Sequence, residues 1–119
     1  MTKESEMTEE YDALITAAQK CATACQRCAA ACLHEQDIAK MANCIGFDED
    51  CAELCELVAS FTARGSRFTS LLASVLADAC KICGEECSHH DLAYCRVCAG
   101  ACRACESACR ALTAPQSPG

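Results

Sequence analysis

The run CRVCAGACRACESAC, residues 95–109, places Cys95, Cys98, Cys102, Cys105 and Cys109 in steps of 3-4-3-4. That rhythm returns side chains to one face of an α-helix, because residues three and four apart share a stripe. A strand would alternate every second residue instead. The rest of the chain repeats the theme: Cys21, Cys25, Cys28 and Cys32 step 4-3-4, Cys44, Cys51 and Cys55 step 7-4, and Cys80, Cys83 and Cys87 step 3-4. Fifteen cysteines in 119 residues thus read as the inward stripes of packed helices.

Extending each stripe outward gives four helices. Thr8 ahead of Glu9, Glu10 and Asp12 predicts the first helix start, with acids favouring the positive end of the dipole. Tyr11, Leu14 and Ala18 then lead into the first four cysteines. The pattern breaks near His34 to Gln36, and Asp37 is the expected cap of the second helix. Its stripe is Met41, Cys44, Phe47 or Asp48, Cys51, Cys55 and Val58. Ala63-Arg64-Gly65-Ser66 reads as a turn, with Ser66 the expected cap of a third helix carrying Phe68, Leu72, Leu76, Cys80, Cys83 and Cys87. Asp91 is the expected cap of the fourth, which runs past Cys109 to Leu112. The fold expected is all-α: an antiparallel up-down-up-down four-helix bundle with a cysteine-lined core. One domain spans 1–114, and Pro115 and Pro118 predict a disordered tail over 115–119.

Composition removes several functions. The net charge of −7 and pI near 4.8 leave no basic face for nucleic acid. No run reaches the roughly 18 apolar residues that span a bilayer, so no membrane role is expected. The polar, acidic start lacks the basic and apolar stretches of a signal peptide, which predicts a cytoplasmic protein whose thiols stay reduced. No Ser/His/Asp set, phosphate loop or paired Glu-x-x-His motif suggests an enzyme, and no cysteine is singled out as an activated nucleophile.

The topology brings His34, Met41, Cys87, His89, His90 and Cys95 to one end of the bundle, all of them soft or borderline metal ligands. The other end collects Tyr11, Leu14, Ile15, Val58, Phe61, Phe68, Leu71, Leu72, Val75 and Leu112 as an apolar plug. Between them, Cys95 to Cys109 alone spans roughly 21 Å at about 1.5 Å per residue. The expectation is a thiol-lined channel with a His/Met mouth. Soft thiolates select Cu(I), zinc or iron–sulfur clusters. Cysteines one turn apart have Cβ atoms about 5–6 Å apart. Two metal–sulfur bonds of roughly 2.3 Å laid end to end fit such a pair. That linear geometry suits Cu(I), and Cys21/Cys25, Cys28/Cys32, Cys51/Cys55, Cys83/Cys87 and Cys98/Cys102 (or Cys105/Cys109) offer it. Sharing each thiolate between ions, up to about one Cu(I) per cysteine, keeps the buried charge near zero.

These features resemble the four-helix copper storage proteins. The resemblance rests on the helical Cys-x-x-x-Cys pattern, on Met41-Ala42-Asn43-Cys44-Ile45 leading into Asp50-Cys51-Ala52-Glu53-Leu54-Cys55, and on the closing run Cys95 to Cys109. It covers about Tyr11 to Leu112. It implies a homotetramer that stores many Cu(I) ions on the fifteen core cysteines, and the missing signal peptide groups this chain with the cytosolic type. Position 90 fits the family spacing better than 89, so His90 joins His34 and Met41 as expected mouth ligands. Members often carry His directly before the first cysteine of the last helix, where this chain has Tyr94. Leu72 and Leu76 replace thiols in the lower third helix, which implies less capacity near the plug.

The function expected is copper storage or buffering by sequestration, with multiple Cu(I) ions per chain, exchanged with copper donor or acceptor proteins or small thiols. A copper chaperone, or a zinc or iron–sulfur protein, is the competing reading. A chaperone needs an exposed thiol pair, whereas these face inward. Inert packing leaves the thiols unexplained, since free Cys is usually kept for its reactivity. A disulfide framework conflicts with the odd count and with same-helix spacing.

Overall fold

A computed structural model describes residues 3–113, with side chains from Met7 onward. It contains α1 (Lys3–Cys32), α2 (Ile38–Ala63), α3 (Thr69–Ser88) and α4 (Ala93–Thr113). No strand occurs among the described residues. Each helix packs on its neighbours in sequence and α4 returns to α1, while diagonal helices meet only through side chains in the core, as where Cys98 of α4 reaches Asp48 of α2. This is the expected up-down-up-down bundle. The predicted tail, 115–119, lies outside the described residues.

The turns differ in detail from the sequence reading. α1 already runs from Lys3, so Thr8 sits inside it and does not start it. Asp37 does occupy the N-cap of α2, but its side chain makes no capping bond and pairs with Lys40 at 3.9 Å. At the α2 C-terminus, the amide of Ser66 donates to Phe61 O and that of Gly65 to Thr62 O, the paired bonds of a Schellman motif. Gly65 has φ +63°, the left-handed backbone that such an ending needs. Ser66 does not cap α3 directly: its Oγ accepts from the Phe68 amide at 3.1 Å, and Phe68 holds the N-cap position. Asp91 likewise leaves the cap of α4 and pairs with Arg96 at 2.6 Å.

The thiol stripes fall where the spacing put them, and every cysteine is buried. The plug is revised on α3. Phe68, Leu71 and Val75 are exposed, whereas Thr69, Ala73, Leu76 and Ala77 face inward. At about 100° per residue, a 68-72-76-80 series of fours drifts off the seam, while 69-73-76-80 stays on it. Leu14, Val58 and Leu76 are fully buried there, each contributing about 1.5–3 kcal/mol by burial. Tyr11, Ile15, Phe61, Leu72 and Leu112 are half-buried around them. Above the plug the core is built of Cys and Ala, so helices approach closely. A Cβ added at Gly84 of α3 would lie 3.3 Å from Cys102 Cβ of α4.

Candidate metal centre

The inward stripes bring thiols from all four helices into mutual contact. Near the mouth, Cys28 Sγ lies 3.8 Å from Cys44 Sγ and 3.9 Å from Cys95 Sγ, and Cys32 lies 3.9 Å from Cys44. Cys44 continues to Cys87 at 3.7 Å. Lower down, Cys98 is 3.6 Å and Cys102 4.0 Å from Cys25, while Cys21 is 3.8 Å from both Cys51 and Cys102. Cys51 reaches Cys80 at 3.7 Å. Same-helix pairs are no closer: Cys21/Cys25 at 3.9 Å and Cys28/Cys32 at 4.0 Å. The expected same-helix pairs thus belong to one network in which thiols of different helices lie as close together as those one turn apart.

Five sets of four ligand atoms lie within 4.8 Å of one another: Cys21/Cys55/Cys80/Cys105, Cys21/Cys25/Cys51/Cys102, Cys25/Cys83/Cys98/Cys102, Cys28/Asp48/Cys87/Cys98 and Cys28/Cys32/Cys44/Cys95. Written in that order they form one ladder. Cys21 joins the first two, Cys25 and Cys102 the next, then Cys98, then Cys28. Bridging thiolates of this kind let soft monovalent ions occupy neighbouring positions without stranded charge. Cys109 is buried below the ladder and belongs to none of its sets.

Asp48 is the residue that the sequence left open against Phe47. It is fully buried, whereas Phe47 is half-buried against the core. Measured from Cys44 and Cys51, position 48 lies nearer the seam than position 47, so the phase of the helix carried the signal. Its Oδ1 accepts from Cys83 at 3.1 Å, Cys98 at 3.3 Å and Cys87 at 3.7 Å, and its Oδ2 from Cys44 at 3.7 Å. Asp48 thus sits within the ladder, not at the rim. Burial pushes its carboxyl up to about 8, since desolvation disfavours the charge. Burial also pushes Cys32 to about 12 and Cys95 to about 11, so these thiols hold their protons until an ion replaces them.

The mouth residues divide. Met41 is buried at the top of the core. His90 is half-buried, with Nε2 2.7 Å from Glu86 Oε2. After hydrogen bonds from Cys28 and Cys87, the His90 ring is a further influence favouring the Cys44 thiolate. His34 and His89 are exposed. Tyr94 donates to Glu35 Oε2 at 2.8 Å, tying the α1–α2 turn to the start of α4. No described helix is long and apolar enough to cross a membrane.

Residues 7–114 match the family model described as copper storage protein. The Bacillus subtilis (strain 168) protein named uncharacterized cysteine-rich protein YhjQ is 36% identical over 90 residues, covering 76% of this chain and 83% of its own length. The structure of the Cu(I)-bound copper storage protein BsCsp3 matches with TM-score 0.84 and 35% identity, over 88% of this chain and 99% of that one. A cytosolic copper storage protein from Streptomyces lividans, solved with five coppers, matches with TM-score 0.90 and 37% identity, over 95% of this chain and 99% of that one.

Proposed function

We propose that this chain, which belongs to the copper storage protein family, is a copper store that holds many Cu(I) ions on its core cysteine thiolates. The observation that carries the reading is the ladder of shared thiols: fifteen buried, unpaired cysteines with joint ligands between successive sets. One Cu(I) per thiolate neutralises the core, whereas divalent ions at shared corners leave uneven charge. The store acts by sequestration without turnover, in the cytosol, where its Streptomyces lividans relative is placed.

The ligands are Cys21, Cys25, Cys28, Cys32, Cys44, Cys51, Cys55, Cys80, Cys83, Cys87, Cys95, Cys98, Cys102, Cys105 and Cys109, with Asp48 among them in the upper core. His90, Met41 and His34 form the path by which ions reach the top of the ladder. A homotetramer is the assembly proposed. Exposed Leu57 and Ile82, beside Phe47 and Leu54 in a groove between α2 and α3, support an apolar contact between copies.

The decisive experiment is anaerobic Cu(I) titration of the reduced protein against a strong chelator, with metal and protein counted after gel filtration. Many tight equivalents per chain are expected. One or two would overturn storage and favour a chaperone or a four-thiolate zinc site.

A further inference from the structure

Fourteen of the fifteen thiols have no exposure at all, and Cys80 alone has 1%. Cys80 reaches the floor of a groove of about 230 Å³ between α3 and α4, which runs along the side of α3 from Cys80 to Ser88. Gly84 shares that floor, and Lys81, Glu85, Arg103 and Glu106 form its walls. Glu106 is occupied by Arg110 at 2.9 Å. Lys81 and Arg103 have no ion-pair partner among the described residues. Glu85 has none either, so beside the Glu106–Arg110 pair the wall keeps two cations and one carboxylate, a net positive charge over the thiol on a chain with net charge −7. A cationic wall raises the local concentration of anions.

We propose that this groove is a lateral port at which a small anionic thiol carrying Cu(I) hands its ion to Cys80. The volume falls below the range of drug-sized pockets and suits a ligand the size of one amino acid or a cysteinyl fragment. A carboxylate-bearing thiol meets Lys81 and Arg103 while its sulfur faces Cys80. In the exchange, the Cu(I)–sulfur bond to the carrier breaks and a Cu(I)–Sγ bond to Cys80 forms. The Cys80 proton passes to the departing thiolate, and no electron moves. Cys80 then feeds the ladder through Cys51, 3.7 Å away, and through its own set with Cys21, Cys55 and Cys105. The inference rests on the storage reading for its purpose, but the accessibility of Cys80 stands apart from it.

The test begins with metal-free, reduced full-length protein under brief treatment with iodoacetate, an anionic alkylating agent, followed by peptide mapping. Cys80 should be the first cysteine modified. In the double variant Lys81→Glu/Arg103→Glu, its modification by iodoacetate relative to neutral iodoacetamide should fall roughly tenfold, the lower end of charge-steering effects. First modification at Cys32, Cys44 or Cys95, or an unchanged reagent ratio, overturns the port. Stopped-flow loading from Cu(I)–glutathione should slow by a similar factor in the double variant, with the final copper count unchanged. Equal loading rates overturn the proposal. Because alkylation needs no copper, its outcome separates failure of the port from failure of storage, which the copper count alone reads.

Discussion

Cys83 of α3 donates its thiol proton to Oδ1 of Asp48 on α2 across 3.1 Å, inside a core where the carboxyl has no cation beside it. The arrangement makes Asp48 a weak acid, held up to about 8 by burial. An unfolded Asp titrates near 3.8. The folded state therefore binds a proton that the unfolded state has released. Stability from this group is fully present below pH 3.8 and is lost as pH rises through 8. We predict that the metal-free protein melts higher at pH 5 than at pH 8. The group's share is several kcal/mol at about 1.4 kcal/mol per pH unit. Asp48→Asn should flatten the profile, which thermal unfolding followed by circular dichroism would read; an unchanged slope in the variant would rule Asp48 out as its source.

Replacing His34, Met41 and His90 together with Ala should change the rates of loading and release while leaving the number of ions held nearly unchanged. The basis is position: His90 and Met41 border Cys44 and the top set, and neither histidine belongs to the ladder. Stopped-flow absorbance and a metal count on the same preparations separate rate from capacity. Unaltered rates in both directions would remove the mouth from the pathway.

The cysteine stripes announced themselves because thiol is rare and the 3-4 rhythm admits one geometry, so helix number, order and the thiol-bearing faces were legible. What the sequence hid was local phase and tertiary partnership. Phe68 looked like a plug residue because it is large and apolar, yet α3 begins at Thr69 and turns Phe68 outward. Asp37 does hold the N-cap of α2 and Asp91 lies outside that of α4, but each carboxylate pairs with a nearby cation and caps no amide. Asp48 was ambiguous because a buried carboxylate is normally excluded. Only the thiol donors from two other helices, unreadable from local spacing, make its place tolerable.

The plug should govern stability without governing capacity. Leu76 is fully buried, sits below the ladder and belongs to none of its sets. Leu76→Ala removes buried methyl groups and leaves a cavity, a loss of about 2–5 kcal/mol. Chemical denaturation of the metal-free variant should show that loss, and its copper count should match the parent. A falling count would mean that the plug also shapes the metal sites.

Tyr94→Phe tests whether the phenol is a ligand or a tie. Its hydroxyl donates to Glu35 at 2.8 Å, and Glu35 belongs to no ligand set. Losing one hydrogen bond should cost about 1 kcal/mol in the metal-free protein. Copper affinity measured by chelator competition should stay unchanged. Weaker retention of the last ions bound would instead make Tyr94 a ligand.

The ladder itself yields the sharpest contrast between two serine substitutions of equal size. Cys102 is a corner of two sets, with neighbours at 3.8 Å (Cys21) and 4.0 Å (Cys25), whereas Cys109 belongs to none. Serine keeps the volume but removes the soft ligand, so packing changes little in either variant. If thiolates bridge successive ions, Cys102→Ser interrupts two coordination sets at once, and its capacity loss should clearly exceed that of Cys109→Ser, which interrupts none. Anaerobic titration of both variants, with metal and protein counted after gel filtration, gives the comparison. Equal losses would show that each cysteine holds its own ion independently, and the shared-ligand ladder would be wrong even though storage survived.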